Sequence, residues 1–158
     1  MTSEKKSEYT LRISQANRTG LIVILYEIAI DYVDEAIAAA SAGDIGAMSL
    51  AAYRTMHCVE EMQNNLHFEY ELAKSLNKLY LYMKKQLRNA SISGDASGLS
   101  EVKKELAGLH KAYLEIADTD KSDPVMVHTQ KVLAGMTYSK DRVLDDLTNE
   151  AAGRGFRV

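Results

Sequence analysis

The chain has 158 residues, enough for one domain with a substantial core and hardly enough for two. Its 46% hydrophobic and 26% charged residues are the balance of an ordinary globular protein, which excludes a disordered chain. A formal net charge of −3 provides no basic field for nucleic acid or an anionic membrane, and a single cysteine, Cys58, excludes an internal disulfide.

Residues 1–16 form a polar N-terminal leader that we expect to be mobile. Its start, "MTSEKKSEYTLRIS", has two lysines but no apolar segment leading to a small-residue cleavage site, so it is not a secretion signal. Tyr9, Leu11 and Ile13 are the side chains with which this leader could attach to an apolar surface.

The first long helix is predicted to begin after Asn17, a good N-cap, and to end at about Ser41. Gly43 then stops the helix and Asp44 caps the next one. The stretch "LIVILYEIAIDYV", residues 21–33, carries only two charges. It is nevertheless too short for a membrane span, which needs about 20 largely uncharged residues.

Three further helices are predicted from apolar residues that recur at spacings of three and four. The second helix has the stripe Ile45, Met48, Ala52, Met56, Val59, Met62 and Leu66. The third has Leu72, Leu76, Leu79, Met83, Leu87 and Ala90, and it ends in the loop "ASISGDASG". The fourth has Leu99, Val102, Leu106, Leu109, Tyr113 and Ile116. Four long helices with short connections predict an antiparallel bundle.

The C-terminal part adds one short element to this bundle. Asp123 as N-cap and Pro124 at the first helical position predict a further helix that reaches about Ala134. Residues 135–158 form a tail that is either flexible or docked. The predicted fold is therefore all-α, an antiparallel four-helix bundle over residues 17–134 with a short additional C-terminal helix.

The first long helix is apolar around most of its circumference. Its charges, Glu27, Asp31, Asp34 and Glu35, fall in one sector roughly 100° wide. One apolar line is Leu21, Leu25, Ile28, Tyr32 and Ala36, and a second is Ile22, Tyr26, Ile30, Val33 and Ile37. Either the helix lies centrally among several neighbours, or the second line faces a groove that receives a partner's apolar segment.

No catalytic constellation is recognisable in the sequence. Di-iron bundles place Glu-x-x-His on two helices, and the nearest approach here is a single His57 three residues before Glu60. The four histidines lie in acidic or mixed surroundings, unlike a phosphotransfer site: His57, His67, His110 and His128. We predict that the protein is not an enzyme and needs no cofactor or metal. A histidine phosphotransfer or metal-binding bundle is the alternative from the enzyme class.

Three segments of the sequence resemble one known family of proteins. "LYEIAIDYVDEA", residues 25–36, and "CVEEMQNNLHFEYELAKSLNKLYLYMKKQLRNA", residues 58–90, resemble the start of the first long helix and the central pattern of the FliS family of flagellin export chaperones. The matching positions are Glu61, Met62, Leu66, Leu72, Ala73, Leu76, Leu79, Tyr80, Tyr82, Met83, Leu87 and Ala90. "LSEVKKELAGLHKAY" resembles the fourth long helix, with Tyr113 where many members carry Trp. Asn17 replaces the family's capping serine.

The resemblance, over about residues 15–116, implies a cytoplasmic chaperone with defined partners. It would hold the disordered C-terminal segment of flagellin in hydrophobic grooves, prevent premature polymerisation and present flagellin to the flagellar export apparatus. No nucleic acid binding or membrane insertion is expected, and a homodimer is left open. A related bundle that serves another partner is the alternative.

The resemblance also directs the choice of site residues. The predicted partner-binding residues are Ile22, Tyr26, Ile30, Tyr70, Tyr80 and Met83. Tyr9, Leu11 and Ile13 of the leader are predicted to cover this site when flagellin is absent.

Overall fold

The computed structural model describes residues 1–126, and all regular secondary structure in this range is helical. The five α-helices are α1 (Ser3–Gln15), α2 (Arg18–Ser41), α3 (Ile45–Asn64), α4 (Glu71–Arg88) and α5 (Leu99–Ala117). Helix α4 continues into a π-helical turn, Asn89–Ser93, within the predicted loop. The four long helices predicted from the sequence are α2 to α5, so the all-α fold is confirmed.

Helix α2 is the central element of the bundle. It packs along both α3 and α5, while α3 also packs along α4. The connection between α2 and α3, residues 42–44, is so short that these packed helices run antiparallel. Helices α2 and α5 are antiparallel as well, since Thr19 pairs with Asp120 and Asp34 pairs with Lys103. Helices α4 and α5 also contact each other, but far less extensively than α2 contacts α3 and α5.

Both predicted N-caps are present in the structure. The side-chain oxygen of Asn17 accepts a hydrogen bond from the Gly20 amide at 2.8 Å. Asp44 accepts one from the Ala47 amide at 2.9 Å. Each bond satisfies a backbone N–H that has no partner within its own helix. Between the two helices, Gly43 adopts a φ of 74°, a left-handed conformation that suits glycine at a helix end.

The core forms where α2 lies between its neighbours. Tyr26, Ala29, Val33 and Ala36 of α2 are completely buried. They pack with buried side chains that the other helices contribute, among them Met48, Ala52, Val59, Met83, Leu87, Val102 and Leu106. Tyr26 and Val33 belong to the line that could have faced a groove. The broad apolar surface of α2 is therefore explained over most of its length by a central position in the bundle.

The N-terminal leader contains a helix that the sequence did not predict. Thr2 caps α1 by accepting a hydrogen bond from the Lys5 amide at 3.3 Å. Apolar periodicity gave no signal because most of α1 is polar, and Tyr9 is its one buried residue. The helix lies against α2, and its contacts there are mainly between charged side chains. The mobility of residues 1–16 stays a prediction.

The segment that follows α5 returns to the start of α2. The Asn17 side-chain amide donates to the carbonyl oxygens of Asp120 at 3.1 Å and Ser122 at 3.3 Å. The Val125 amide donates to the Ala16 carbonyl oxygen at 3.0 Å. Residues 120–126 are not helical. The remainder of the predicted C-terminal helix, residues 127–134, and the tail over residues 135–158 lie outside the described residues.

Candidate partner-binding groove

An open groove of about 730 Å³ lies at the end of the bundle where α2 and α4 begin. This volume is within the range of about 300–1,000 Å³ that is typical of ligand pockets. The groove is formed by the first turns of α2 and α4, the α3–α4 loop, the end of α5 and Val125. The apolar lining residues are Leu21, Ile22, Leu25, Leu66, Tyr70, Leu72, Ala73, Leu76, Tyr113 and Val125. The polar ones are Arg18, Asn64, Asn65 and His67.

The rim of the groove exposes several large apolar side chains. Leu72 is 70% exposed, Tyr70 is 66% exposed, and the neighbouring Phe68 is 52% exposed. Three large exposed apolar side chains thus lie within five residues of one another at this end of the bundle. In other proteins, amphipathic helices dock in apolar grooves of this kind.

A group of three tyrosines connects the lining of the groove with the core. The ring of Tyr113 lines the groove, and its centroid lies 5.3 Å from that of Tyr26. The hydroxyls of Tyr26 and Tyr80 lie 2.5 Å apart. Burial, together with the neighbouring Tyr80, raises the pKa of Tyr26, and burial raises the pKa of Tyr80 to about 12. Both hydroxyls are therefore neutral at physiological pH and are hydrogen-bonded to each other within the core.

The structure brings two of the six predicted partner-binding residues to the groove, Ile22 and Tyr70. Tyr26, Tyr80 and Met83 are at most 1% exposed and belong to the core, so a surface partner would not contact them. Ile30 is half-buried against the core and does not line the groove. The reason is position along the helix: Tyr26 lies one turn further into the bundle than Ile22, where Tyr80 of α4 closes over it.

Sequence reasoning missed most of the apolar wall of the groove. Leu66, Leu72 and Leu76 were assigned to helix stripes and to the family resemblance but not to the partner site, yet all three line the groove. The signal that could have identified them is the run "LHFEYEL", residues 66–72. It alternates apolar and polar residues across a helix break, so its apolar side chains cannot all join one buried stripe.

The leader helix α1 docks on the charged sector of α2. Arg12 makes a bidentate ion pair with Glu27, with N–O distances of 2.5 and 2.9 Å. The Asp31 carboxylate accepts from Lys5 Nζ at 2.6 Å and from the Tyr9 hydroxyl at 2.7 Å. The amino group of Met1 pairs with Glu35. The acidic sector of α2 is thus the docking surface for α1.

This placement differs from the expected cover over the partner site. Of the three leader residues, Tyr9 is buried against α2, Ile13 is half-buried and Leu11 is 60% exposed. None of them lines the groove. The physical reason is charge: the docking side chains of α1 are basic, and the acids of α2 lie on a different face from Ile22. The structure therefore places α1 beside the groove and not over it.

Glu27 lies at the junction of α1, α2 and α5. Burial alone would raise the pKa of this carboxyl, but the hydrogen bonds and charge of Arg12, followed by those of His110, outweigh burial and lower the pKa. The Nε2 atom of His110 on α5 lies 3.5 Å from Glu27 Oε1. The ionised carboxylate therefore stabilises the docked position of α1.

Neutralising Glu27 should loosen α1 without opening the bundle. Local opening exposes backbone amides to hydrogen exchange. Since a single partly exposed charge-assisted contact contributes about 0.5–1.5 kcal/mol, Glu27→Gln should raise amide exchange in Ser3–Gln15 by roughly 2- to 10-fold. The matched control is Asp34→Asn, because Asp34 pairs with Lys103 of α5 and not with α1. Equal exchange in the two variants would contradict this account of α1 docking.

The same carboxylate gives α1 docking a defined pH dependence. The pKa of Glu27 is lower in the folded protein than in the unfolded chain. The carboxylate therefore stabilises the docked α1 fully at pH values above its unfolded pKa of about 4.3, and this stabilisation is lost as the pH falls through the folded pKa. An NMR titration of the Glu27 side chain should show a midpoint below about 4.3. In Arg12→Ala the midpoint should move upward, because burial then outweighs the remaining partner His110. A midpoint that Arg12→Ala leaves unchanged would refute the role of Arg12.

The described residues outside the groove offer little for metal binding or nucleophilic chemistry. No group of three His, Cys, Asp or Glu side chains that could hold a metal ion occurs within residues 1–126. The Nδ1 atom of His57 lies 3.3 Å from Glu60, and its ring contacts Tyr53 edge to face. Cys58 is buried, and burial raises its pKa to about 11, so its thiol is not an activated nucleophile. Among the helices of residues 1–126, none has the length and apolar character to cross a membrane.

The fold and the groove together define a class of protein, a helical bundle with an open apolar groove. The family model described as "Flagellar protein FliS" matches residues 1–120. The chain therefore belongs to the FliS family of flagellar export chaperones, and the resemblance seen in the sequence is confirmed. The match includes α1, which the sequence resemblance had left out. A search of curated proteins found no match.

Proposed function

We propose that this protein is a flagellin-specific export chaperone and that the groove binds the disordered C-terminal segment of flagellin. The observation that carries the proposal is an open apolar groove with an exposed apolar rim in a member of the FliS family. Bound in this way in the cytoplasm, flagellin would be kept from polymerising early and be presented to the flagellar export apparatus.

The groove suits a segment that folds as it binds. A helix with apolar side chains at positions i, i+3, i+4 and i+7 presents an apolar stripe along one face. This stripe fits between two walls of the groove, the α2 wall with Leu21 and Leu25 and the α4 wall with Leu72 and Leu76. Ordering a disordered segment consumes about 2–5 kcal/mol or more of the interaction energy. Binding can therefore be specific and still reversible, as a chaperone that releases its cargo for export requires.

The proposal is tested by calorimetric titration with the C-terminal segment of flagellin from the same organism. We expect one-to-one binding with a negative heat-capacity change, which marks burial of apolar surface. Added chaperone should also delay polymerisation of full-length flagellin. Absence of binding at micromolar concentrations, with residues 1–16 present or deleted, would overturn the proposal. The bundle would then serve another partner, and light scattering would show whether that partner is a second copy of this chain.

A further inference from the structure

The polar lining of the groove is unusual for an acidic protein. The chain has 22 Asp and Glu residues against 19 Lys and Arg, yet no Asp or Glu lines the groove. Its charged lining residue is Arg18. Some basic side chains elsewhere in the bundle are paired with acids, as Arg12 is with Glu27 and Lys103 with Asp34. Within residues 1–126, Arg18 has no ion pair and no hydrogen bond from its side chain.

Arg18 has no evident structural task in α2. It occupies the first helical position, and the first turn of α2 contains no acidic residue to neutralise it. A positive charge at a helix N-terminus opposes the helix dipole, so it does not stabilise the helix. Asn17 already caps this end through the Gly20 amide. Among residues 1–126, the exposed guanidinium group of Arg18 thus has no acidic partner, and it lies beside an apolar groove.

We propose that the groove selects an apolar helical segment that also carries a carboxylate, and that this carboxylate pairs with Arg18. The inference rests on the proposed function and adds the chemistry of the partner at the same site. A guanidinium group binds a carboxylate in a bidentate geometry, which fixes the register of the bound segment. The remaining lining, which is apolar or made of neutral carboxamides beside His67, offers no second cation for a polyanion such as nucleic acid.

The carboxylate also gives the groove a means of rejecting other segments. A helix with apolar anchors but a lysine near Arg18 would place two like charges together at the edge of a low-dielectric groove. A neutral helix would leave Arg18 partly desolvated and without a partner. Apolar contacts would therefore supply most of the affinity, and Arg18 would supply orientation and discrimination.

The test compares Arg18→Glu with Lys104→Glu, which makes the same charge change at an exposed position of α5 outside the groove. The probe is the C-terminal segment of flagellin, as the natural sequence and as variants in which one Asp or Glu is changed to Lys. Arg18→Glu should weaken binding of the natural segment by roughly 5- to 50-fold, and Lys104→Glu by less than about twofold. One Lys variant of the segment should bind the wild-type chaperone weakly and regain affinity for Arg18→Glu.

Two outcomes separate this inference from the proposed function. If the wild-type protein does not bind the natural segment, the proposed function fails. If it binds, and Arg18→Glu and Lys104→Glu have the same affinity for the segment, only the carboxylate inference is overturned.

Arg18→Met, which keeps the aliphatic stem of the side chain, is the second variant if Arg18→Glu unfolds, and it should lower affinity without altering helix content. Retention of full affinity by a folded Arg18→Met would overturn the inference equally.

Discussion

Replacing Ile22 or Leu76 by aspartate is expected to weaken binding of the flagellin C-terminal segment by at least about 100-fold. The reason is that the complex would bury an unpaired charge under the apolar face of the partner. The two residues lie on opposite walls of the groove, on α2 and α4. Both are half-buried in the free protein, so the charge can reach water until the partner binds. The measurement is calorimetric titration of Ile22→Asp and Leu76→Asp after circular dichroism has shown that each is folded.

The matched control for these variants is Leu81→Asp. Leu81 is also on α4 and is 52% exposed, but it does not line the groove. Its affinity should stay within about twofold of the wild-type value, since exposed substitutions away from a contact have small effects. If a folded Leu76→Asp variant bound the segment with wild-type affinity, the groove would not be the binding site, even though flagellin bound elsewhere on the protein.

Replacing Met83 by alanine is expected to lower the free energy of unfolding by about 2–5 kcal/mol, the usual cost of truncating a large core side chain. Met83 is completely buried among α2, α3 and α5 side chains of the core cluster. Urea denaturation measures the loss. Affinity for flagellin, measured below the denaturation transition, should be unchanged because Met83 does not line the groove.

This experiment distinguishes the sequence interpretation of Met83 from its position in the structure. The sequence predicted a partner contact, which would leave stability nearly unaltered and reduce binding. Leu81→Ala is the control for an exposed residue on the same helix, and its effect on stability should stay within about 0.5 kcal/mol. A Met83→Ala variant with near wild-type stability and weakened binding would contradict the core assignment.

The helices that could be predicted from the sequence are those whose ends and faces depend on local chemistry. Asn17 and Asp44 are side-chain caps that act on amides three residues ahead, so their position marks the helix starts directly. Helix α1 was missed because its stability depends on distant charges. Arg12 is 15 residues from its partner Glu27, and Lys5 is 26 residues from Asp31. The local pattern of apolar and polar residues does not reveal ion pairs between residues so far apart in the sequence.

The site was only partly predictable for a related reason. Ile22 and Tyr26 are four residues apart on one face of α2, and periodicity gives them the same environment. The structure separates them because Ile22 lines the open groove, whereas Tyr26 is covered by Tyr80 of α4. The depth of a residue along the bundle depends on how the helices diverge, and this divergence is a property of tertiary packing. Tyr70 and Tyr80 were predicted as contacts on the same helix, yet Tyr70 precedes α4 and lines the groove while Tyr80 is buried.

The central claim is that flagellin binds in this groove, and methyl NMR tests it most directly. Spectra of protein labelled at Ile, Leu and Val methyl groups would be recorded with and without the C-terminal segment of flagellin. The account predicts that the largest shifts fall on Leu21, Ile22, Leu25, Leu66, Leu72 and Leu76. Shifts confined to exposed apolar residues outside the groove, such as Leu50, Leu81, Leu114 and Ile116, with the groove signals unchanged, would contradict it.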